Sequence, residues 1–390
     1  MATVKYKEPS PYTKPRRSPP EDDFLHTSYE AAVNLDPSTK PSVKPVVVAL
    51  FGVGRAGQIH LNNLINHHHV KIAYIVDDVE SKWSSLKAYW NLTDTTFLSS
   101  KQSDKVFSDE RVVAVIVASP TYTHEEIVRK ALESRKAVFC EKPIAEDIAT
   151  TKKLYELADK VGKPLFCAFN RRFDPAYSNL RKDVHKGKVG HVHTIKICAR
   201  DSPLPTVSYI RTSGGIFHDC AIHDIDMMCW ILGELPNKVF AMANANIPEM
   251  AEINDFDTIA MVLNFPSGTI GMIDISRNAC YGYDQRIEVF GPRGMLQCNG
   301  ENPMCGYDSY LGSGGQTKTP IYYSFPSRYK IAYSREMAHF FNIVEGKEKI
   351  SILGRETLAA SKIASAMEES ARTGKYVELQ WEPNELPANA

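Results

Sequence analysis

Residues 46–57 constrain this chain more than any others. Val46–Phe51 is a short, unbroken apolar run. It reads as a strand buried on both faces, as in a parallel sheet. It leads directly into Gly52-Val53-Gly54-Arg55-Ala56-Gly57, the spacing G-x-G-x-x-G, and then a helical stretch from Ala56 to about Asn66. Strand, glycine turn and helix in that order form the first unit of a dinucleotide-binding sheet. Gly52 permits the tight turn, Gly54 lets backbone approach a pyrophosphate, and Gly57 lets helix and strand pack closely. The free N–H groups at the helix start then face phosphate charge. Such a unit calls for an acid about 20 residues further on. A second apolar run, Val70–Val76, ends at Asp77. A carboxylate there binds the ribose hydroxyls and repels a 2′-phosphate. Asp78 adds to the repulsion, and the nearest following cation is Lys82, so NAD is expected over NADP.

The alternation continues. Val112–Val117, Ala137–Cys140 and Leu165–Phe169 read as strands, with helices over Thr123–Ser134 and Ile144–Val161. Strands alternating with helices imply an α/β, doubly wound parallel sheet of the Rossmann type. After about residue 175 the rhythm changes. Helices are expected near Pro175–Lys186 and Gly215–Leu232. Strand-like runs cover Val192–Arg200, Lys238–Ala245, Thr258–Phe265, Thr269–Ser276, Arg286–Phe290 and Met295–Cys298, and closing helices cover about Lys330–Val344 and Glu356–Arg372. This is the pattern of an α+β domain with a largely antiparallel open sheet. The expected organisation is a dinucleotide-binding domain over 45–170, a substrate and oligomerisation domain over 171–382, and a tail over 383–390. Residues 1–44 hold seven of the 23 prolines and show no helical or strand period, so a disordered extension is expected there. Arg16-Arg17-Ser18-Pro19 fits either a phosphorylation site or a solvated tail.

Composition excludes several classes. Lys+Arg and Asp+Glu both number 46, which argues against a general nucleic-acid binder. No apolar run approaches the roughly 20 residues of a membrane span, and no secretory h-region opens the chain. None of the eight cysteines falls in a C-x-x-C pair, so neither a zinc site nor a disulfide framework is indicated. Buried thiols in a reducing cytosol are expected, with a cytoplasmic location and no metal.

Two further segments carry candidate chemistry. Glu141-Lys142-Pro143 follows a predicted strand, at the strand end where such sheets bind ligands. Lys142 can point into the crevice, although a solvated lysine fits the residues equally well. In Gly214–Asp226, read as helix, Asp219 and His223 are i,i+4, and Asp226 extends their face. An Asp can orient a His, the side chain best suited to proton transfer near neutral pH; a bland surface pair fits as well. His218 has no acid four residues away, and the triplet His67-His68-His69 reads as an exposed loop.

Taken together, these segments resemble the Gfo/Idh/MocA family of NAD(P)-dependent oxidoreductases, and within it the inositol dehydrogenases, over nearly all of residues 46–380. The resemblance is carried by the glycine turn, Ala118-Ser119-Pro120-Thr121 with His124, Glu141-Lys142-Pro143 and Asn170-Arg171-Arg172-Phe173-Asp174-Pro175. Ser213–Asp224, Tyr281–Val289, and Arg328-Tyr329 with Ala332-Tyr333 complete it. It implies that Gly52, Gly54, Arg55, Ala56, Gly57, Asp77, Ser119, Pro120, Thr121, His124, Glu141 and Lys142 bind NAD. It implies Lys142, Asp219 and His223 as catalytic residues that also touch substrate, joined there by Arg172, Tyr283 and Tyr329. A cis peptide before Pro143 and homodimers or homotetramers built on the open sheet faces are further implications.

The chemistry so implied is hydride transfer from a secondary alcohol of a cyclic polyol, myo-inositol giving 2-keto-inositol. His223 takes the proton, Asp219 holds the imidazole, and Lys142 favours the alkoxide. The same chemistry on a hexose, a uronate or a deoxy sugar is the alternative, because fold does not fix substrate. A non-enzymatic NAD(P)-sensing regulator is a further one, disfavoured because Lys142, Asp219 and His223 occur together.

Overall fold

The computed structural model describes residues 45–299, 309–311, 315–317 and 320–387. The expected disordered extension, its Arg-Arg-Ser-Pro motif and Cys305 lie outside the described residues, as does the end of the tail from 388. In the first half, β1 (Val46–Phe51), β2 (Val70–Val76), β3 (Thr96–Leu98), β4 (Ala114–Val117), β5 (Ala137–Glu141) and β6 (Leu165–Ala168) form one sheet in the order β3-β2-β1-β4-β5-β6. Every neighbouring pair is parallel. The connecting helices are α1 (Arg55–Ile65), α2 (Trp83–Trp90), α3 (Asp104–Ser108), α4 (His124–Glu133) and α5 (Ile148–Val161). Every side chain of β4 and β6 is buried, as expected for strands covered on both faces. α5 has explicit ends: the Asp147 side chain accepts the Thr150 N–H at 2.7 Å, and Gly162 closes it at φ 64°. β3, α2 and α3 escape the periodicity reading because each spans too few residues to show a period.

The strand order reverses between β1 and β4, which opens a crevice beyond their carboxyl ends. Gly52, Asp77 and Lys142 directly follow β1, β2 and β5, and Ser119 follows β4 with one residue, Ala118, between them, so four separate turns meet at this end of the sheet.

The second half contains α6 (Pro175–His185), β7 (Thr194–Arg200), α7 (Val207–Ile210), α8 (Ile222–Leu232), β8 (Lys238–Asn244), α9 (Pro248–Glu252), β9 (Thr258–Asn264), β10 (Ile270–Ser276), β11 (Asp284–Gly291) and β12 (Gly294–Cys298). The ribbon β13 (Ser309–Leu311) and β14 (Gly315–Thr317), then α10 (Phe325–Arg328), α11 (Lys330–Val344), α12 (Gly354–Thr373) and β15 (Val377–Glu378) complete it. Seven strands pair in the order β12-β11-β7-β10-β9-β8-β15. Only β7 and β10 are parallel within that sheet; the other neighbours are antiparallel. The inner face packs beneath α12, where the Ala241 N–H donates to Ser370 Oγ at 3.0 Å. The outer face leaves Phe240, Met242, Val262, Ile270, Phe290 and Met295 exposed. α11 returns to the first half, bringing Phe340 edge-on to Phe139 and Tyr333 edge-on to His60.

Several expectations need correction. The helix expected over Gly215–Leu232 opens with a wide π turn, Phe217–Ala221, before α8 begins. The histidine triplet is not a fully exposed loop. His67 is half-buried with its ring 4.9 Å from Phe341, and burial lowers its pKa to about 4. The thiols are not uniformly buried: Cys140 and Cys167 are, whereas Cys280 is exposed. The peptide before Pro143 is cis, as the resemblance implied. Among the described residues, no helix is long and apolar enough to cross a membrane.

Candidate active site

The glycine turn is shaped for a phosphate. Gly52 takes φ +84°, and a Cβ on it would lie 2.6 Å from Ser119 Cα. A Cβ on Gly57 would fall 2.1 Å from the Gly52 carbonyl oxygen, whereas one on Gly54 would meet nothing within 4 Å. Two glycines are therefore required by protein packing, and the third opens a space. α1 carries no side-chain cap and no acid in its first turn, so its leading N–H groups keep their donors for an anion. Asp77 Oδ2 accepts the Val53 N–H at 2.9 Å, and Oδ1 accepts the Val79 N–H at 2.9 Å. The carboxylate is thereby fixed beside the turn, where a ribose would lie. These features fit a dinucleotide without a 2′-phosphate.

The remaining cofactor expectations divide. Ser119 bonds Thr123 through their hydroxyls at 2.6 Å, and the Ala118–Ser119 backbone lies against Gly52. His124 is buried, with Nδ1 2.8 Å from the Pro143 carbonyl and Nε2 2.9 Å from the Ser119 carbonyl. Neither nitrogen is left for a ligand, so His124 ties two crevice turns together. Glu141 points its carboxylate at His60 Nε2, 2.7 Å away, and thus anchors the turn that carries Lys142.

Lys142 and Asp219, 77 residues apart, meet. Lys142 Nζ donates to the Asp219 carbonyl at 2.7 Å and to its Oδ1 at 3.0 Å. Asp219 Oδ1 also accepts the Tyr209 hydroxyl at 3.0 Å, and Oδ2 accepts Arg277 at 3.1 Å. Arg277 is completely buried and reaches Asp255 at 3.6 Å on its far side. Burial opposes charge on Asp219, but Lys142 and Arg277 outweigh it and hold the carboxyl well below its ordinary range. Burial likewise opposes charge on Lys142, yet Asp219 keeps the ammonium above its ordinary value. Both groups are ionised at neutral pH. His223 differs from both. It donates to and accepts from no described residue, its Nδ1 is closed off, and Phe169 meets its ring edge-on at 6.1 Å. Burial first, then Lys142 and Arg171, push its pKa well below the usual imidazole value. Asp219 therefore does not hold the imidazole, because its oxygens are committed to Lys142, Tyr209 and Arg277.

The polyol expectation for Arg172 is also corrected. Its guanidinium is bidentate to Asp226, at 2.9 and 2.6 Å, and reaches Glu356 at 3.2 Å. Asp226, expected on the face of Asp219 and His223, belongs to this second cluster. Its neighbour Arg171 is the arginine that lies with Tyr283 and Tyr329. Arg171 pairs with Asp224, lies 3.5 Å from the Tyr283 hydroxyl, and stacks 5.6 Å over Tyr329. Asp224 Oδ2, Gln285 Oε1 and Asn170 Nδ2 are buried around it without protein partners. Burial raises Asp224 to about 6 against the opposing pull of Arg171. Tyr283 and Tyr329 thus do gather in the site, at Arg171. Asn170–Phe173 is a 3-10 turn, in which successive side chains point about 120° apart. Sequence spacing cannot choose between adjacent arginines on such a turn. No local signal marks Arg277 or Tyr209 either; both are brought in by tertiary packing.

Comparison with known proteins agrees with this geometry. Residues 46–169 match the family model described as "Oxidoreductase family, NAD-binding Rossmann fold", and residues 177–297 match the GFO/IDH/MocA C-terminal domain. The chain is 35% identical over 337 residues to myo-inositol 2-dehydrogenase of Thermotoga maritima, covering 85% of this chain and 98% of that one. It is 33% identical over 338 residues to the uncharacterized oxidoreductase YrbE of Bacillus subtilis, covering 86% and 97%. The crystal structure of a putative myo-inositol dehydrogenase from Sinorhizobium meliloti superposes with a TM-score of 0.80 at 30% identity, over 86% of this chain and all of that one. A scyllo-inositol dehydrogenase from Lactobacillus casei, solved with bound NAD(H) and scyllo-inositol, superposes at 0.78 with 26% identity, over 86% and 99%. Because the cradle suits NAD and both halves match the two halves of one family, the chain belongs to the Gfo/Idh/MocA oxidoreductases and is an NAD-dependent member.

Proposed function

We propose that this enzyme oxidises a secondary hydroxyl of a cyclic polyol, with myo-inositol as substrate and the 2-keto-inositol as product. The observation that carries the reading is one juxtaposition. An ionised Lys142–Asp219 pair stands beside a half-buried, neutral, unpartnered His223 at the end of a dinucleotide crevice. Bound NAD supplies the hydride acceptor. Gly54 and the leading N–H groups of α1 would hold its phosphates, and Asp77 would hold its ribose. His223 takes the hydroxyl proton at Nε2, the nitrogen not closed off by protein. Lys142, kept cationic by Asp219, lowers the energy of the developing alkoxide. Asp219 acts through Lys142. Arg171, Tyr283, Asn170, Gln285 and Asp224 offer the dense polar contacts that a ring of hydroxyls demands. The names of the relatives favour an inositol over an open-chain sugar.

The outer face of the second sheet, with its exposed row from Phe240 to Met295, is the surface we assign to a second copy of the chain. Light scattering on Met242→Lys tests that assignment, with a smaller particle than wild type expected.

The function is tested by following NADH formation with purified protein, NAD or NADP, and a panel of inositols, hexoses, uronates and deoxy sugars. Turnover of myo-inositol with NAD is expected. Turnover only of another sugar would retain the chemistry and remove the inositol assignment. Tight NAD binding with no turnover on the whole panel would favour the regulator.

A further inference from the structure

Arg55 is the first residue of α1, the helix whose uncapped N–H groups face the phosphate position. Its side chain leaves that half of the molecule. The guanidinium carbon lies 4.7 Å from the centroid of the Tyr209 ring and 5.2 Å from that of Phe325. Tyr209 sits in α7 and Phe325 opens α10, both in the second half. Among the described residues no carboxylate pairs with Arg55, so these two rings are its partners. Both rings are themselves held. The Tyr209 hydroxyl donates to Asp219 Oδ1 at 3.0 Å, and the Phe325 ring lies 6.5 Å from Tyr283 and from Tyr333.

We propose that Arg55, Tyr209 and Phe325 form a clasp across the crevice that slows escape of the bound dinucleotide, which makes Tyr209 and Phe325 cofactor-retaining residues contributed by the second half. A cation over an aromatic face is attracted by the ring quadrupole, modestly at exposed sites and more when desolvated. Here one guanidinium engages two faces, and both contacts join the phosphate-binding turn to the opposite wall. The turn cannot swing away from that wall without breaking both. The arrangement also leaves the N–H groups of α1, and not the guanidinium, to meet the phosphates. This inference rests on the NAD site and not on the identity of the polyol.

The test is the rate of NADH release from the full chain, by stopped-flow fluorescence, with affinity measured by calorimetry. Arg55→Met, Tyr209→Leu and Phe325→Leu are each expected to speed release by about three- to ten-fold. Tyr209→Phe keeps the ring face and is expected to stay closer to wild type than Tyr209→Leu. The double variant Arg55→Met/Tyr209→Leu is expected to release no faster than the faster single, because each change breaks the same contact. Unchanged release in Arg55→Met, or singles that add in the double, would overturn the clasp. If Tyr209→Leu disturbs folding, Arg55→Met with Phe325→Leu makes the same cycle from the other ring. A wild type that turns over no polyol would count against the proposed function and leave these rates to decide the clasp.

Discussion

Two buried ion clusters flank one stretch of chain, and they are built to opposite ends. On one side, Arg172 is bidentate to Asp226 and reaches Glu356, and Glu356 in turn accepts the Leu353 N–H at 2.8 Å. Its donors are spent on protein. On the other side, Lys142, Asp219 and Arg277 are paired, but His223 Nδ1, Asp224 Oδ2, Gln285 Oε1 and Asn170 Nδ2 are buried without partners. Orphaned polar atoms in a dry site carry a desolvation cost. The satisfied cluster is therefore read as a structural brace, and the unsatisfied one as a site that a polar ligand completes. Breaking each side should have different consequences.

The largest effect is expected at the unsatisfied side. His223→Ala should lose about 10²- to 10⁴-fold in turnover while NADH affinity and melting temperature stay near wild type. Retained turnover would remove His223 from proton transfer. The pH profile sharpens the point. His223 accepts a proton only when neutral, and its folded pKa lies below the usual imidazole value. Turnover should therefore hold through pH 7 and fall only as acid reaches that lowered value; a midpoint above pH 6.5, the ordinary value, would contradict it.

At the satisfied side the expected loss is stability. Removing one partner, as in Asp226→Leu, should cost about 3–5 kcal/mol in urea unfolding, whereas the joint change Arg172→Met/Asp226→Leu should recover most of it. A joint variant no better than the single would mean that the pair is held by more than its own charge balance. A smaller change is expected at the cofactor. Asp77→Ser should narrow the preference for NAD over NADP by about ten- to a hundred-fold, the worth of a charged hydrogen bond. An unchanged ratio of kcat/KM for the two cofactors would exclude Asp77 from the choice.

A further, pH-dependent effect concerns Glu336 on α11, an orphan outside both clusters. It is fully buried with both oxygens unpartnered, and burial raises its pKa well above 4.5. Below that ordinary value both states are protonated and nothing is lost. As pH rises past it, the unfolded chain releases a proton that the folded chain keeps, and native stability declines. Glu336→Gln should thus gain on wild type by about 1 kcal/mol per pH unit from pH 5 up to the raised native pKa, read from melts at pH 5 and pH 8. A gap that does not widen with pH would mean that the carboxyl is not buried neutral.

The same contrast separates what could be read from the chain alone. The glycine turn, Asp77 and the alternating strands were legible because each depends on neighbours close in sequence, or on a spacing that the βαβ unit imposes. Lys142 and His223 were placed by the turn and segment that carry them. The role given to Asp219 was not recoverable, because the groups that take its oxygens, Lys142, Tyr209 and Arg277, come from other elements. Arg172 was preferred to Arg171 for a related reason: two adjacent cations on a 3-10 turn point to different clusters, and nothing local says which carboxylate waits for each.

By itself, then, the sequence determined the parallel sheet, the dinucleotide turn with its carboxylate, and the strand end that presents Lys142, because backbone sterics and hydrophobic period act over short range. Only the tertiary structure decided that Lys142 and Asp219, 77 residues apart, share a proton-rich contact, that Arg277 and Tyr209 complete it, and that Arg55 reaches across to Tyr209. Those pairings depend on how two sheets and the returning helix α11 pack. Burial then fixes the charge of each group through its partners, which no spacing along the chain encodes.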